Sequence, residues 1–487
     1  MPPADTRTRS TTRRVGGALS LLTVLPLASC GSTLYEANVS PYCPEEQRFL
    51  GATIQRYVED LIKRVSKRVR DLLFELGSIM FEAGRYADSA SAFQYAEDQL
   101  LELERNAPSS LIEQFESTFK NPAEVTYRGA PYERVMSATM LGLAYCMLGD
   151  FESARPSFRS ADFWQDDGIR QRQQRIDAPK RQLDESRAPL AAGVESAAER
   201  YEDSFFTGYA SVSNSFADVV QGAFLLGQLE GSSDASDAAF LFGRASGIYP
   251  SNMFAAQDAA LADQVGSPPP NRTYVLFATG FAPFLMELTI ALPLPGIGIV
   301  TAAFPILTVD QSGYTRTLTV EADDELYEPE PIADMDRIVG ADFNAELPTI
   351  TARHTAAILA RNSIAVGTRV AAREVEGAAG ALIALSGLFY NIWQNKADLR
   401  SWRTLPKYYA YASFETPASG VITIDAPPLG PESVEVSPTG VNIVYVRALR
   451  PNLPVTIAAF NVGTDSARTE PDEPTQPASS LQEEPIP

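Results

Sequence analysis

The chain has one histidine, His354, and three cysteines, Cys30, Cys43 and Cys146, among 487 residues. A zinc cluster or a Ser-His-Asp triad would have to be built around this single imidazole. His354 stands in Arg353-His354-Thr355, on the polar side of a helix-like stretch, where a solvated ring is the simpler reading. The cysteine spacings offer no metal site. No GxxxxGK[ST] phosphate loop, HExxH, GxSxG elbow or CxxC occurs, so kinase, metalloprotease, serine hydrolase and dithiol redox readings lack a motif. Positive charge is also scarce. Forty Lys and Arg against sixty-one Asp and Glu leave a formal charge of -21, which repels nucleic acid and anionic lipid within a Debye length. With 45% hydrophobic and 21% charged residues, the chain has an ordinary water-soluble composition and enough apolar mass for two or three domains.

What is present begins at the ends. Arg7, Arg9, Arg13 and Arg14 precede an apolar run from Val15 to Leu27, the charged-then-hydrophobic order of an export signal. As a helix that run would cover only about 20 Å, short of the roughly 30 Å of a bilayer core. Leu27-Ala28-Ser29-Cys30 follows and resembles the lipobox of bacterial lipoproteins. That resemblance implies cleavage before Cys30, acylation of its thiol and amine with chains such as palmitate, and attachment to a bilayer. The rival is plain secretion. Gly31 after the cysteine favours the outer membrane, periplasmic side, over the inner membrane. Residues 30–46 then read as a lipidated tether, and 464–487, with five prolines and six acids against one arginine, as a disordered tail.

The region 47–265 reads as helical. Apolar positions recur at three and four residues from Phe49 to Leu76. Two copies of one pattern follow, sixty-five residues apart. The first carries Gly77, Gly84, Tyr86 and Phe93; the second carries Gly142, Tyr145, Gly149, Phe151, Ala154 and Phe158. Both resemble tetratricopeptide repeats, in which an antiparallel helix pair crosses at small residues and aromatic side chains fill the gap. A third, partial copy is expected around Ala238 and Phe242, with a turn at 230–234 that is several residues too long. Residues 165–204 are rich in both charge signs and read as a solvated helix face. Cys146 lies inside the second repeat, as a buried thiol or as a disulfide partner for Cys43.

Ser267-Pro268-Pro269-Pro270 marks a change of period, and 266–463 reads as β-rich and sandwich-like, with a helical insertion at 348–396. Strands are expected at 274–277, 284–290, 315–321, 408–414, 420–425, 433–437, 441–447 and 455–460, with 315–321 pairing with the strands before it. The apolar stretch through Val309 is broken by Pro293, Pro295, Gly296, Gly298 and Pro305, so it reads as buried strands and loop in preference to a spanning helix. The fold class expected is therefore α+β. Asp398, Arg400, Trp402 and Arg403, in Ala397-Asp398-Leu399-Arg400-Ser401-Trp402-Arg403-Thr404-Leu405-Pro406, are the candidate interaction residues: a ligand cradle, or a packed structural corner. With Tyr132-Glu133-Arg134-Val135, Gly280-Phe281-Ala282-Pro283 and Ala333-Asp334-Met335-Asp336, this segment resembles a family of bacterial lipoproteins with tetratricopeptide repeats. That family has no established activity, so the resemblance implies no catalytic residue, metal or cofactor.

The function expected is a non-enzymatic, membrane-anchored envelope scaffold whose repeats bind proteins or peptides, with the bilayer held through acylated Cys30 and no nucleic-acid partner. The alternatives are a part of an export or assembly machinery for polysaccharide or outer-membrane proteins, and an enzyme working with carboxylates alone.

Overall fold

The computed structural model describes residues 69–105, 127–177, 213–231, 233–264, 270–294, 298–346, 398–427 and 430–462. Cys30 and its tether, Cys43, the start of the helix expected from Phe49, residues 178–204, His354, the helical insertion at 348–396 and the acidic tail lie outside them. The architecture is α+β. Among the described residues seven helices come first: α1 (Val69–Glu82), α2 (Tyr86–Arg105), α3 (Pro131–Met147), α4 (Phe151–Asp177), α5 (Ser215–Gln228), α6 (Asp234–Ile248) and α7 (Met253–Ala262). Strands β1 (Arg272–Thr279), β2 (Phe284–Leu294), β3 (Gly298–Thr308), β4 (Thr319–Ala322), β5 (Glu325–Tyr327) and β6 (Glu330–Asp334) follow. After a helical stretch at 335–346 come β7 (Tyr408–Glu415), β8 (Val421–Asp425), β9 (Pro431–Glu435), β10 (Val441–Ala448) and β11 (Thr456–Asn461).

One crossing rule builds three helical hairpins. A Cβ added at Gly77 of α1 would lie 2.6 Å from the Phe93 ring of α2, one at Gly142 of α3 would collide with the Phe158 ring of α4, and one at Gly222 of α5 would come 2.9 Å from Phe242 of α6. Each glycine therefore gives a phenyl ring the space it would otherwise deny. The turns of the first two hairpins are alike, with Gly84 and Gly149 both at φ 71, a left-handed conformation that costs glycine least. Ser89 stands where the second copy has Ala154; its hydroxyl donates to the Gly77 carbonyl oxygen at 2.8 Å. The longer third turn is held by Asp234, which accepts from the Gly231 backbone N–H at 2.9 Å and pairs with Arg155 of α4 at 3.0 Å.

The main sheet has the order β11-β10-β1-β7-β6, with β1 and β10 parallel and every other pair antiparallel. Its two faces are covered differently. Tyr274, Tyr409, Tyr411 and Tyr445 face the helices, and each meets a phenylalanine from a different helix: Phe242 of α6, Phe216 of α5, Phe254 of α7 and Phe81 of α1. Val275, Phe277, Phe414, Val444 and Val446 face the other way, onto Leu318, Val320, Ile422 and Ile424 of a four-stranded sheet ordered β5-β4-β8-β9. The helices and the inner sheet face thus share one hydrophobic core, and the second core lies between two sheets in the expected sandwich manner.

Residues 315–321 were expected to pair with the strands before them. Instead β4 pairs with β5 and β8, because Val320 and Ala322 alternate onto the second core. The long apolar stretch forms the hairpin β2–β3, eleven residues in each strand, and Met286 and Leu288 are exposed where burial was expected.

Replacing Gly142 by valine forces Phe158 off its seat. The variant should lose about 2 kcal/mol in urea unfolding, and a Gly142→Val/Phe158→Leu double variant should recover part of that loss.

Candidate functional site

The four segments that carried the family resemblance meet at one place. Residues 398–407 run as a strap from the first helical hairpin to the end of the main sheet. Trp402 is its anchor: the indole is buried, stacks on Phe74 of α1 with ring centroids 5.1 Å apart, and lies 5.7 Å from the Phe93 ring. Its ring N–H reaches the Thr404 hydroxyl at 2.8 Å and the Ser78 hydroxyl at 3.0 Å. The Trp402 backbone N–H donates to Glu133 Oε1 at 2.8 Å, and Glu133 Oε2 accepts from the Ala130 backbone N–H at 2.8 Å and from the Tyr127 hydroxyl. One carboxylate therefore caps the start of α3 and holds the strap.

The neighbouring strap residues are engaged in the same manner. Asp398 accepts from the Arg400 guanidinium at 2.7 Å, and Arg400 lies over the Tyr127 ring. The backbone N–H groups of Arg403 and Thr404 donate to the two oxygens of Glu75 at 2.6 and 3.2 Å, while the Arg403 guanidinium lies 5.3 Å from the Phe284 ring centroid. Leu405 O accepts from Ala282 N at 2.8 Å, Lys407 N donates to Thr279 O at 2.9 Å, and Met335 N donates to Lys407 O at 2.9 Å. The Lys407 ammonium pairs with Asp336. Of the two readings of this segment, the packed corner is the one the contacts describe.

Sequence reasoning missed the charges behind the strap. Arg447 of β10 is fully buried; its guanidinium donates to Gly280 O at 2.8 Å and pairs with Glu82 of α1 at 3.6 Å. A signal existed: Val441, Ile443, Tyr445 and Arg447 share the inward face of one strand, so the arginine had to find a buried carboxylate. Burial pushes the Glu82 carboxyl up to about 7 against the opposing pull of Arg447. Burial does the same to Glu75, also to about 7, and raises Asp336 to about 6 despite Lys407. A second buried centre joins α7 to the sheet, where Asp258 accepts from Arg272 Nε at 2.7 Å and from the Ser413 hydroxyl at 2.7 Å. These groups pair across elements and stitch them together, with one oxygen each of Glu82 and Asp336 buried without a hydrogen-bond partner among the described residues.

The aromatic and small residues of the two copies divide between the core and its edge. Phe93, Phe158 and Ala154 are buried, while Tyr86, Tyr145 and Phe151 are partly buried at the core edge. Cys146 is a free, buried cysteine whose thiol is pushed well up by burial, the setting of an inert core residue. Among the described residues no group of three or more His, Cys, Asp or Glu side chains is placed to hold a metal ion.

Comparison with known proteins finds no match: no family model, no curated protein and no solved structure.

Two measurements test the strap. Trp402→Ala should cost about 4 kcal/mol in denaturant unfolding, with Trp402→Phe recovering much of it because the ring seat is kept. The Glu82 carboxyl titrates at about 7 in the folded chain against an ordinary 4.5, so the protonated form is the one the fold favours. Its contribution is complete below pH 4.5 and is lost as pH rises towards 7. Glu82→Gln should accordingly flatten the decline in melting temperature across that window.

Proposed function

We propose that this protein is a membrane-anchored envelope lipoprotein that docks partner proteins on the outer surface of its helical layer. The anchoring half rests on the Arg-rich start, the short apolar run and Leu27-Ala28-Ser29-Cys30. The docking half rests on a pair of aromatic side chains. Phe163 of α4 and Phe240 of α6 are exposed at 49% and 64%, and Arg244 of α6 joins their two helices: its guanidinium lies 5.4 Å from the Phe240 ring centroid and pairs with Asp162, beside Phe163, at 2.7 Å. Arginine with exposed aromatic rings is the composition of binding hot spots.

The opposite, inner surface of the helices is a poorer candidate. A repeat array of this kind commonly offers that surface as a groove, but here α3 and α5 are buried along nearly their whole length, with β10 and β11 of the chain's own sheet lying against them. The tetratricopeptide-like helix pairs therefore serve as a rigid support, with the recognition surface outside.

A photo-reactive residue placed at Phe163 or at Phe240 in the full chain should give the same discrete protein adduct from envelope membranes, and Arg244→Glu should abolish it. Different adducts at the two positions, or an adduct indifferent to Arg244→Glu, would refute the docking surface. Retention of the Cys30→Ala chain in the membrane pellet after a salt wash would refute anchoring through that residue.

A further inference from the structure

An edge strand presents outward N–H and C=O groups that a further strand can bind, and folds blunt such edges with prolines, charges, short strands or a covering element. Four of the edges in this protein are blunted. β6 carries Pro331 and a register shift beside it, and its Glu330 and Pro331 carbonyl oxygens accept from the Asn252 side chain at 3.0 and 3.2 Å. β5 is three residues long and starts at Glu325. β9 opens with Pro431 and carries Glu432 and Glu435. The paired strands β2 and β3 hold Pro293 and Pro305. β11 has none of these devices: it runs Thr456-Ile457-Ala458-Ala459-Phe460-Asn461 without charge or proline, and no strand lies beyond it among the described residues.

Register identifies which of its backbone groups are unused. Val462 N–H donates to Val441 O at 2.7 Å, and β11 runs antiparallel to β10 with Asn461 opposite Asn442. The pairs bonded to β10 therefore fall on Phe460, Ala458 and Thr456, at every second residue. The N–H and C=O groups of Ile457 and Ala459 point the other way, out of the sheet edge, and take no partner among the described residues. Both cores stop at this strand. Ala458 is buried in the helix-covered core and Phe460 packs at its rim, while Ile457 and Ala459 pack at the rim of the core between the sheets. A strand added here would extend both.

The occupant follows from charge and from the order of side chains. A chain of formal charge -21 repels its own copies, yet from Val436 to Thr464 it has no Asp or Glu, so a second copy meets least repulsion at this edge. A twofold axis through Ala458 places Ile457 of each copy opposite Ala459 of the other in bonded positions, where the two residues exchange both N–H···O bonds. Ala458 then meets its counterpart, methyl against methyl, at the closest approach of the strands. Phe460 meets Thr456 of the second copy, the pairing of aromatic with β-branched side chains that sheets favour. The chain's own residues 464–487 are a poorer occupant, because their five prolines lack the N–H groups a ladder needs.

We propose that β11 pairs with β11 of a second copy of this chain, antiparallel about a twofold axis at Ala458, joining two main sheets into one. The contact uses none of the residues assigned to partner docking and does not rest on that reading. It presents the helical docking surface twice in one particle, so a partner with two matching sites is held by both.

The test begins with the full chain in detergent solution. Sedimentation should give twice the protein mass, falling to one chain on dilution, and added salt should tighten the dimer by screening the two acidic bodies. Ala459→Pro removes an outward N–H and leaves the bonds to β10 in place. It should weaken the dimer at least about tenfold while the diluted variant melts close to the unmodified chain. Ala458→Cys should give a disulfide-linked dimer on oxidation. Thr456→Cys should not, since its counterpart lies about 13 Å along the second strand. Amide exchange over 455–461 should slow at high concentration and quicken on dilution. A single-chain mass throughout, a dimer that Ala459→Pro leaves unchanged, equal linkage at the two cysteines, or exchange indifferent to concentration would overturn the proposal. So would capture of a different protein in place of the second copy by a photo-reactive residue at Ala458 in envelope membranes. A negative result leaves the Cys30 fractionation and the Phe163 and Phe240 adducts unaffected, so the two readings fail separately.

Discussion

Strands β1 and β10 lie side by side at the middle of the main sheet, and every position of β10, and all but the first of β1, is buried. A parallel pair of that kind has no face that water can satisfy, so both faces must be covered. The coverings differ because the faces do. The inner face is broad and aromatic and takes a layer of helices, one phenylalanine to each tyrosine. The outer face carries branched and phenyl side chains and takes a small twisted sheet. The rest of the molecule can be read as an answer to that requirement.

Covering the inner face also decides what the helices are free to do. In an open repeat array the first helix of each pair lines a groove. Here those helices lie against strands from the far end of the same chain, and Glu133, Ser78 and Glu75 are committed to the Trp402 strap. The charges behind the strap follow the same logic. Arg447 enters on an inward position because the strand's alternation leaves it nowhere else to point, and Glu82 meets it at an energetic cost visible in its raised titration. Such pairs do little for stability compared with an apolar filling, but they punish any register other than the native one.

The local parts of this design were legible in the amino-acid order. Gly77 and Phe93, like Gly142 and Phe158, lie sixteen residues apart, and a helix pair can be recognised from that spacing because its contacts are close in sequence. The period-two strands were legible for the same reason. What joins them was not: the pairing of Arg272 with Val441 spans 169 residues, and alternation shows that a strand has two faces without naming what covers each. The strap was visible as an unusual run of Asp, Arg and Trp, yet its meaning depended on Glu133 and Glu75, which look like ordinary helix carboxylates until the fold brings them beneath it. The exposure of Met286 and Leu288 in the β2–β3 hairpin was misjudged because apolar strands broken by proline look the same whether a larger sheet takes them in or they pair only with each other.

The place of β10 long after the helices in chain order has a consequence for biosynthesis. The helices emerge from the ribosome first, yet their inner faces are fully covered only after β1, β7 and β10 have all followed them. Until those strands have been made, the helical hairpins expose apolar inner faces, the condition in which a growing chain is prone to associate and a holding chaperone is useful. Completion of the fold is timed by the arrival of its last long strands.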